Sequence, residues 1–289
     1  MPQQPQRPEN KRGGKPRRIR TAAVARKEWL NSDMVRIYFT GPDLADLPEL
    51  TFTDHYVKIL FPPEGADYSW PFDPDALREN APREQWPVTR TYTIRSFDRD
   101  SNELAIDFVV HGDTGLAGPW AANAEPGAQI GFRGPGGAYA PEPDFDSHLL
   151  VGDEAAIPAI AAALDRLPDH ATATVYLEVA DAEHHQPIPT EDRSEVVWVH
   201  RGDREYGEPL AETVREHGLP EGKLQVFVHG NAGMIKDLRR YLFVEHHLDR
   251  RQVSISGYWR TGQNEDAWQS GKRDFMAQVE AEEAAATGG

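Results

Sequence analysis

The chain has 289 residues, 39% of them hydrophobic, with 7 tryptophans, no cysteine and a formal net charge of -16. That length allows two ordinary domains, each with its own core. The absence of cysteine excludes disulfides, cysteine-ligated zinc and cysteine-bound iron–sulfur clusters, so a redox role needs a bound organic cofactor; the acidic balance argues against nucleic acid as a partner.

Residues 1–17 are rich in Pro, Gly, Gln and Arg and read as a flexible basic tail. No apolar stretch follows Arg17-Arg18, and no run in the chain approaches the ~20 apolar residues of a membrane-spanning helix. A cytoplasmic protein without membrane insertion is expected. Residues 18–145 then alternate with a period of two: Met34 to Phe39, His55 to Phe61, Arg90 to Phe97, Leu104 to His111 and Gln129 to Arg133. Turn-rich pieces such as Thr40-Gly41-Pro42-Asp43 separate them, and the pattern predicts a closed antiparallel barrel. The Pro- and Trp-containing stretch 62–87 reads as an irregular surface loop.

A short acidic, Pro-rich linker near Pro141 to Asp146 precedes a change of rhythm. Across 146–264, apolar strands at His148 to Val151, Thr174 to Leu177, Val196 to Val199, Leu224 to His229 and Val253 to Ile255 alternate with helical patterns at Ala155 to Leu167, Leu210 to His217 and Met234 to Leu248. This alternation predicts a parallel α/β sheet covered on both faces. Residues 265–289 form a C-terminal helix and tail, with helix expected over Glu265 to Ala285.

Two motifs in the first half carry chemistry. In Arg90-Thr91-Tyr92-Thr93, a strand places Arg90 and Tyr92 on one face and Thr93 on the other. The guanidinium fork suits a diphosphate, the tyrosine ring can lie against an isoalloxazine or ribityl chain, and Thr93 can hydrogen-bond the ring. Taken alone, the four residues equally fit an ordinary strand with a solvent-facing arginine. The second motif follows His111: a Gly-rich turn enters a short helix, and Gly115, Ala117 and Gly118 are small enough for a phosphate to approach the backbone.

Together, RTYT, HGDTGLAGPWA, LVGDEAAIPAI and SGYWRTG resemble the siderophore-interacting proteins, a branch of the ferredoxin–NADP-reductase-like superfamily, over roughly residues 18–280. The resemblance implies an antiparallel six-stranded FAD-binding barrel, then a nicotinamide-binding domain, and the reduction of ferric siderophores. It implies that Arg90, Tyr92 and Thr93 hold the flavin and that Asp107, Val109 and His111 line the next strand of the site. By the same resemblance Gly115, Ala117, Gly118 and Trp120 form the turn over the pyrophosphate.

On the nicotinamide side, Gly152-Asp153-Glu154 closes a strand and opens a helix, where a dinucleotide sits in such sheets. Two acids there suit the helix dipole but repel a pyrophosphate, so spacing alone favours a capped helix; the resembling family carries a similar motif, which points back to a nucleotide site. Glu178 and Asp181 supply acids where a ribose 2′-hydroxyl would bind, with no arginine close behind, so NADH is expected over NADPH. Asn231 stands where related reductases carry a carboxylate beside the nicotinamide.

A ferric siderophore is bulky and often anionic, so an acidic protein needs local cations for it. Arg260, after Gly257-Tyr258-Trp259, and Lys272, on the final helix, are the candidates; Lys272 matches a C-terminal lysine that the resembling family directs at its substrate cleft. The pairs His184-His185 and His246-His247 lack converging ligands, so no metal site is expected. The expectation is therefore a monomeric FAD-dependent ferric-siderophore reductase using NADH (or NADPH). A general flavin or ferredoxin-type reductase and a non-catalytic ferric-siderophore carrier are the rival readings.

Overall fold

The computed structural model describes residues 18–287 apart from 111, 113, 114 and 191. The first half contains β1 (Arg20–Asn31), β2 (Met34–Thr40), β3 (Tyr56–Phe61), a short helix α1 (Pro74–Asn80), β4 (Val88–Asp98), β5 (Glu103–Val109), α2 (Ala117–Asn123) and β6 (Gln129–Gly136). Its six strands close into an antiparallel barrel in the order β1-β2-β5-β4-β3-β6. The period-two pattern explains the closure. Val35, Ile37 and Phe39 on β2, Val57 and Ile59 on β3, and Leu104, Ile106 and Phe108 on β5 all turn inward and are fully buried.

α2 caps one end of this interior. Ala117 and Ala121 are buried, and the Trp120 ring lies parallel to Phe39 with centroids 6.3 Å apart and meets Phe61 edge-on at 5.7 Å. β1 was not expected from the sequence. Its charged run Arg26-Lys27-Glu28 and the register shift between Val24 and Arg26 break the alternation that marks the other strands. The stretch 62–87 is also more ordered than its composition suggests. Trp70 lies directly over Gly131 of β6, where a Cβ would fall 1.9 Å from the indole, so only glycine permits this cover.

The second half contains β7 (Ser147–Asp153), α3 (Ile157–Leu164), β8 (Thr172–Val179), β9 (Ser194–His200), α4 (Glu208–His217), β10 (Leu224–Asn231), α5 (Ala232–Arg239) and β11 (Val253–Trp259). The five strands are parallel, in the order β11-β10-β7-β8-β9. All seven residues of β7 and all eight of β10 are buried, as expected for central strands covered on both faces. The strand order reverses direction between β7 and β10, which makes the carboxyl ends of these strands the natural binding crevice.

α6 (Glu265–Thr287) returns across both halves. Trp268 and Val279 are buried, and Glu283 forms ion pairs with Arg239 at 2.6 Å and Arg250 at 2.7 Å. Several side chains tie the barrel to the sheet domain. Arg95 pairs with Asp165 at 2.6 Å, and Arg166 donates to the carbonyls of Leu50 and Thr51. Asn31 donates to the His184 carbonyl, and the His184 ring lies between Asp33 and Asp181.

Candidate functional site

A cavity of about 720 Å³ opens where the barrel, the carboxyl ends of the parallel strands and α6 meet. This volume is in the range of cofactor and ligand sites. The barrel supplies the outer face of β3 and β4: Tyr56 is paired in register with Thr93, and Lys58 with Thr91. Tyr92, Asp107 and Val109 line the same wall. The sheet domain supplies Glu154, Ala155 and Pro158 after β7, Tyr206 after β9, His229 of β10, and Ser254, Ser256, Gly257, Tyr258 and Trp259 of β11. α6 closes the third side with Glu265, Trp268, Gln269 and Lys272.

The polar groups on these walls are largely paired. Arg36 neutralises Asp107 through two contacts at 2.6 and 2.8 Å. Glu265 accepts from the Thr91 amide at 3.1 Å and the Thr91 hydroxyl at 2.7 Å. Asp54, also on the cavity wall, accepts from the amides of Ala138 and Tyr139. Burial raises the Tyr92 and Tyr258 hydroxyls far above the usual phenol range, so both rings are neutral.

The cations differ. Lys58 and Lys272 both face the cavity, and among the described residues neither has a carboxylate within ion-pairing distance. The Lys272 ammonium donates to Ser256 Oγ at 2.9 Å. Burial and the neighbouring Lys58 charge lower its pKa from the ordinary lysine value. Two ammonium groups that repel one another across a cavity favour an anionic occupant.

Of the residues singled out from sequence, the structure brings Tyr92, Thr93, Asp107, Val109, Glu154 and Lys272 together on the cavity wall. His111 lies outside the described residues. Arg90 stands beside the cavity on β4 and pairs with Asp266 of α6 at 3.0 Å. Gly115, Ala117, Gly118 and Trp120 lie at the α2 cap and not on the cavity wall; Trp120 packs into the barrel core. Arg260 is exposed, with its guanidinium 5.1 Å from the Phe275 ring, also off the wall.

Three polar residues at the strand ends are committed to the chain itself. Asp153 accepts from the Asn231 amide at 2.7 Å, Trp259 Nε1 at 2.8 Å and the Ala155 amide at 3.1 Å, which ties the ends of β7, β10 and β11 together. Burial and the adjacent Glu154 push this carboxyl up to about 7, against the pull of its donors. Gly152 is the close-approach position behind it, where a Cβ would meet Ala156 Cβ at 2.5 Å. Asn231 caps α5 by accepting from the Gly233 amide and donates to Thr261 Oγ1. Asp181 caps a short turn and holds His184.

The walls fit a flavin. Tyr92 offers a partly buried aromatic face and Thr93 a hydroxyl beside it, and two cavity-lining side chains, Trp268 and His229, each keep a buried ring nitrogen without a partner among the described residues. Lys58, Tyr56, Tyr258 and Trp268 were not singled out from sequence. For Lys58 and Tyr56 the signal was present: in the HYVKILF strand they occupy the outward positions opposite Thr91 and Thr93.

Burial also fixes the protonation of His229, which stacks on Phe227 with centroids 4.0 Å apart and shares a 2.9 Å hydrogen bond with Ser254. Burial, then the Lys272 charge, lowers its pKa to about 3, and burial lowers that of His148 to about 4. Both are therefore neutral in the folded state near pH 7. Because the unfolded chain binds these protons near pH 6.5 and the folded chain does not, their contribution to stability is lost as pH falls from about 6.5 towards 4. Asp153 works in the opposite sense across the same window, because the folded form takes up its proton first. His148→Leu should therefore flatten the loss of thermal stability between pH 6.5 and 4, by up to ~3 kcal/mol. An unchanged slope in that variant would rule out His148 as a source of acid lability.

These features match known proteins along nearly the whole described chain. Residues 23–139 match the family model of the siderophore-interacting FAD-binding domain, and residues 145–262 that of the siderophore-interacting protein. An uncharacterized protein of Mycobacterium tuberculosis (strain H37Rv) is 40% identical over 261 residues, covering 86% of this chain and 92% of that one. The ferric vibriobactin reductase of Vibrio cholerae is 33% identical over 264 residues, covering 87% and 93%. The crystal structure of a siderophore-interacting protein from Aeromonas hydrophila superposes with a TM-score of 0.78 at 31% identity, over 90% of this chain and 99% of that one. With a flavin-type barrel, a parallel nucleotide-type sheet and a shared cavity between them, the chain belongs to the siderophore-interacting protein family.

Proposed function

We propose that this chain is an FAD-dependent reductase of ferric siderophores that takes its electrons from NADH and releases iron in the cytoplasm. The observation that carries the reading is the single cavity on which Tyr92 and Thr93, the carboxyl ends of the parallel strands, and the ammonium groups of Lys58 and Lys272 all converge. FAD, when bound, supplies the step from a two-electron hydride donor to one-electron transfer to iron. The chain's part is to bind and orient. Tyr92 and Thr93 would hold the isoalloxazine, with Arg90 beside them for the phosphates. The crevice at Glu154 and Tyr206 would receive the dinucleotide. Lys58 and Lys272 would hold an anionic ferric chelate and oppose the overall charge of -16.

The reading is tested by the visible spectrum of the purified protein, followed by anaerobic addition of NADH and then of a ferric siderophore. Expected are a yellow protein, bleaching by NADH, and return of the yellow form with stoichiometric iron(II). A protein that binds FAD and reacts with NADH but reoxidises only with ferredoxin would instead support the general-reductase reading. Arg90→Ala should lose flavin during purification, since one charge-assisted contact to a phosphate contributes ~1.5–3 kcal/mol. Full flavin occupancy in that variant would remove Arg90 from the site.

A further inference from the structure

At the carboxyl end of the sheet, Glu178 is the penultimate residue of β8, and in sheets of this kind an acid near that point reads the ribose 2′-hydroxyl while a nearby arginine accommodates a 2′-phosphate. Here Glu178 is fully buried and accepts from the Gly207 amide at 2.9 and 3.1 Å and from Arg201 at 3.3 Å. It has no face left for a ribose. Arg201, just after β9, is only 8% exposed. Its Nη1 also donates to Glu154 at 3.1 Å, and the Tyr206 ring covers its guanidinium at 3.8 Å. Glu154 and Tyr206 line the cavity, whereas Arg201 does not. An arginine suited to a phosphate is therefore held behind an acid and a tyrosine, in a cluster with one more carboxylate than cation.

We infer that Arg201 is the residue that selects between dinucleotides, and that Glu154 sets the choice by holding the guanidinium away from the cavity. Glu178 and Glu154 share one arginine, so a 2′-phosphate has to displace Glu154 from Arg201 and come up against the two acids while doing so. A dinucleotide with a free 2′-hydroxyl meets neither cost. Both acids meet the same Arg201 Nη1, and Glu178 is held in addition by the Gly207 amide, so removing the Glu154 charge leaves Glu178 on Nη1 and releases the cavity-side hold on the guanidinium, whose fork can then meet a phosphate. Arg201 and Glu154 thus act as specificity-determining residues. This rests on the reading of the chain as a nicotinamide-dependent reductase.

The test is calorimetric titration of the flavin-loaded protein with NAD+, NADP+ and 2′-phospho-AMP, for wild type, Glu154→Gln and the double variant Glu154→Gln/Arg201→Lys. Wild type is expected to favour NAD+. Glu154→Gln should shift the NADP+/NAD+ affinity ratio towards NADP+ by about tenfold and bring 2′-phospho-AMP into the measurable range. The double variant keeps a cation beside Glu178 but lacks the planar fork, and should lose most of that gain. An unmoved ratio in Glu154→Gln overturns the inference, as does a wild type that already favours NADP+. Wild type that binds none of the three ligands overturns the reductase reading itself. Circular dichroism of each variant separates these results from loss of fold.

Discussion

Glu283→Ala is expected to lower the stability of the protein by ~3–5 kcal/mol, the largest single effect of any substitution considered on α6. Glu283 is 6% exposed and accepts two hydrogen bonds from Arg239, at 2.6 and 2.9 Å, and a third from Arg250. Arg239 is itself buried, so the alanine variant leaves a guanidinium away from water, with Glu280 at 3.8 Å as its remaining carboxylate among the described residues. A buried pair broken on one side costs more than the pair contributes when intact, because the surviving charge is desolvated without compensation. Thermal unfolding should show the loss, and proteolysis should first cut near the C-terminus as α6 detaches. A second variant, Glu283→Gln, keeps the shape and two acceptor lone pairs and should be less damaging. If Glu283→Ala melts with wild type, the Glu283 ion pairs do not hold α6 in place.

The fate of α6 matters because the helix carries chemistry as well as packing. Its first turn places Glu265 on Thr91 and Asp266 on Arg90, and its third turn carries Lys272 into the cavity. A helix over 265–285 was legible from its Ala and Glu content, but its two anchors were not. Trp268 fits because Gly257 of β11 leaves room, with Cζ2 2.9 Å from where a Cβ would stand, and Glu283 fits because Arg239 sits on a different helix 44 residues earlier. Such contacts depend on tertiary geometry that a periodicity of 3.6 does not encode.

The barrel shows the same division. Its strands were legible wherever one face is apolar, as in Val35, Ile37 and Phe39, and β1 was missed where Arg26, Lys27 and Glu28 stand together on an edge of the alternation. In the site, the local motif singles out Tyr92 and Thr93, which lie on one strand and line the cavity. Asp153, Asn231 and Glu178 look like ligand-facing polar residues in sequence. In the fold each is absorbed by chain donors: the Trp259 indole, the first amides of α5, and the Gly207 amide with Arg201. A polar residue at a strand end serves either a ligand or the neighbouring strand ends, and only the distances decide between them.

The double variant Lys58→Ala/Lys272→Ala should bind an anionic ferric siderophore far more weakly while keeping its flavin. Each ammonium is half-buried, faces the same cavity and has no ion-pair partner among the described residues, so each is free to meet a charged chelate. A partly exposed cation contributes ~0.5–2 kcal/mol to such a contact, and two acting together ~1–4 kcal/mol, or roughly 5- to 1000-fold in affinity. Lys272 has the sharper role, since Ser256 fixes its Nζ at 2.9 Å and burial, then repulsion from Lys58, already lowers its proton affinity. An anion between the two lysines relieves that repulsion, so bound chelate should raise the Lys272 pKa, and wild-type affinity should fall as pH rises into the range where Lys272 loses its proton. Salt should weaken wild-type binding more than that of the double variant, because screening acts on the interaction the variant lacks. Flavin content and the rate of flavin reduction by NADH should match wild type in both single variants and in the double one. Neutral ferric chelates should be reduced at unaltered rates by all four proteins. If the double variant reduces an anionic ferric siderophore at the wild-type rate and with the wild-type dependence on its concentration, the two lysines are cavity-wall charges without a part in substrate binding.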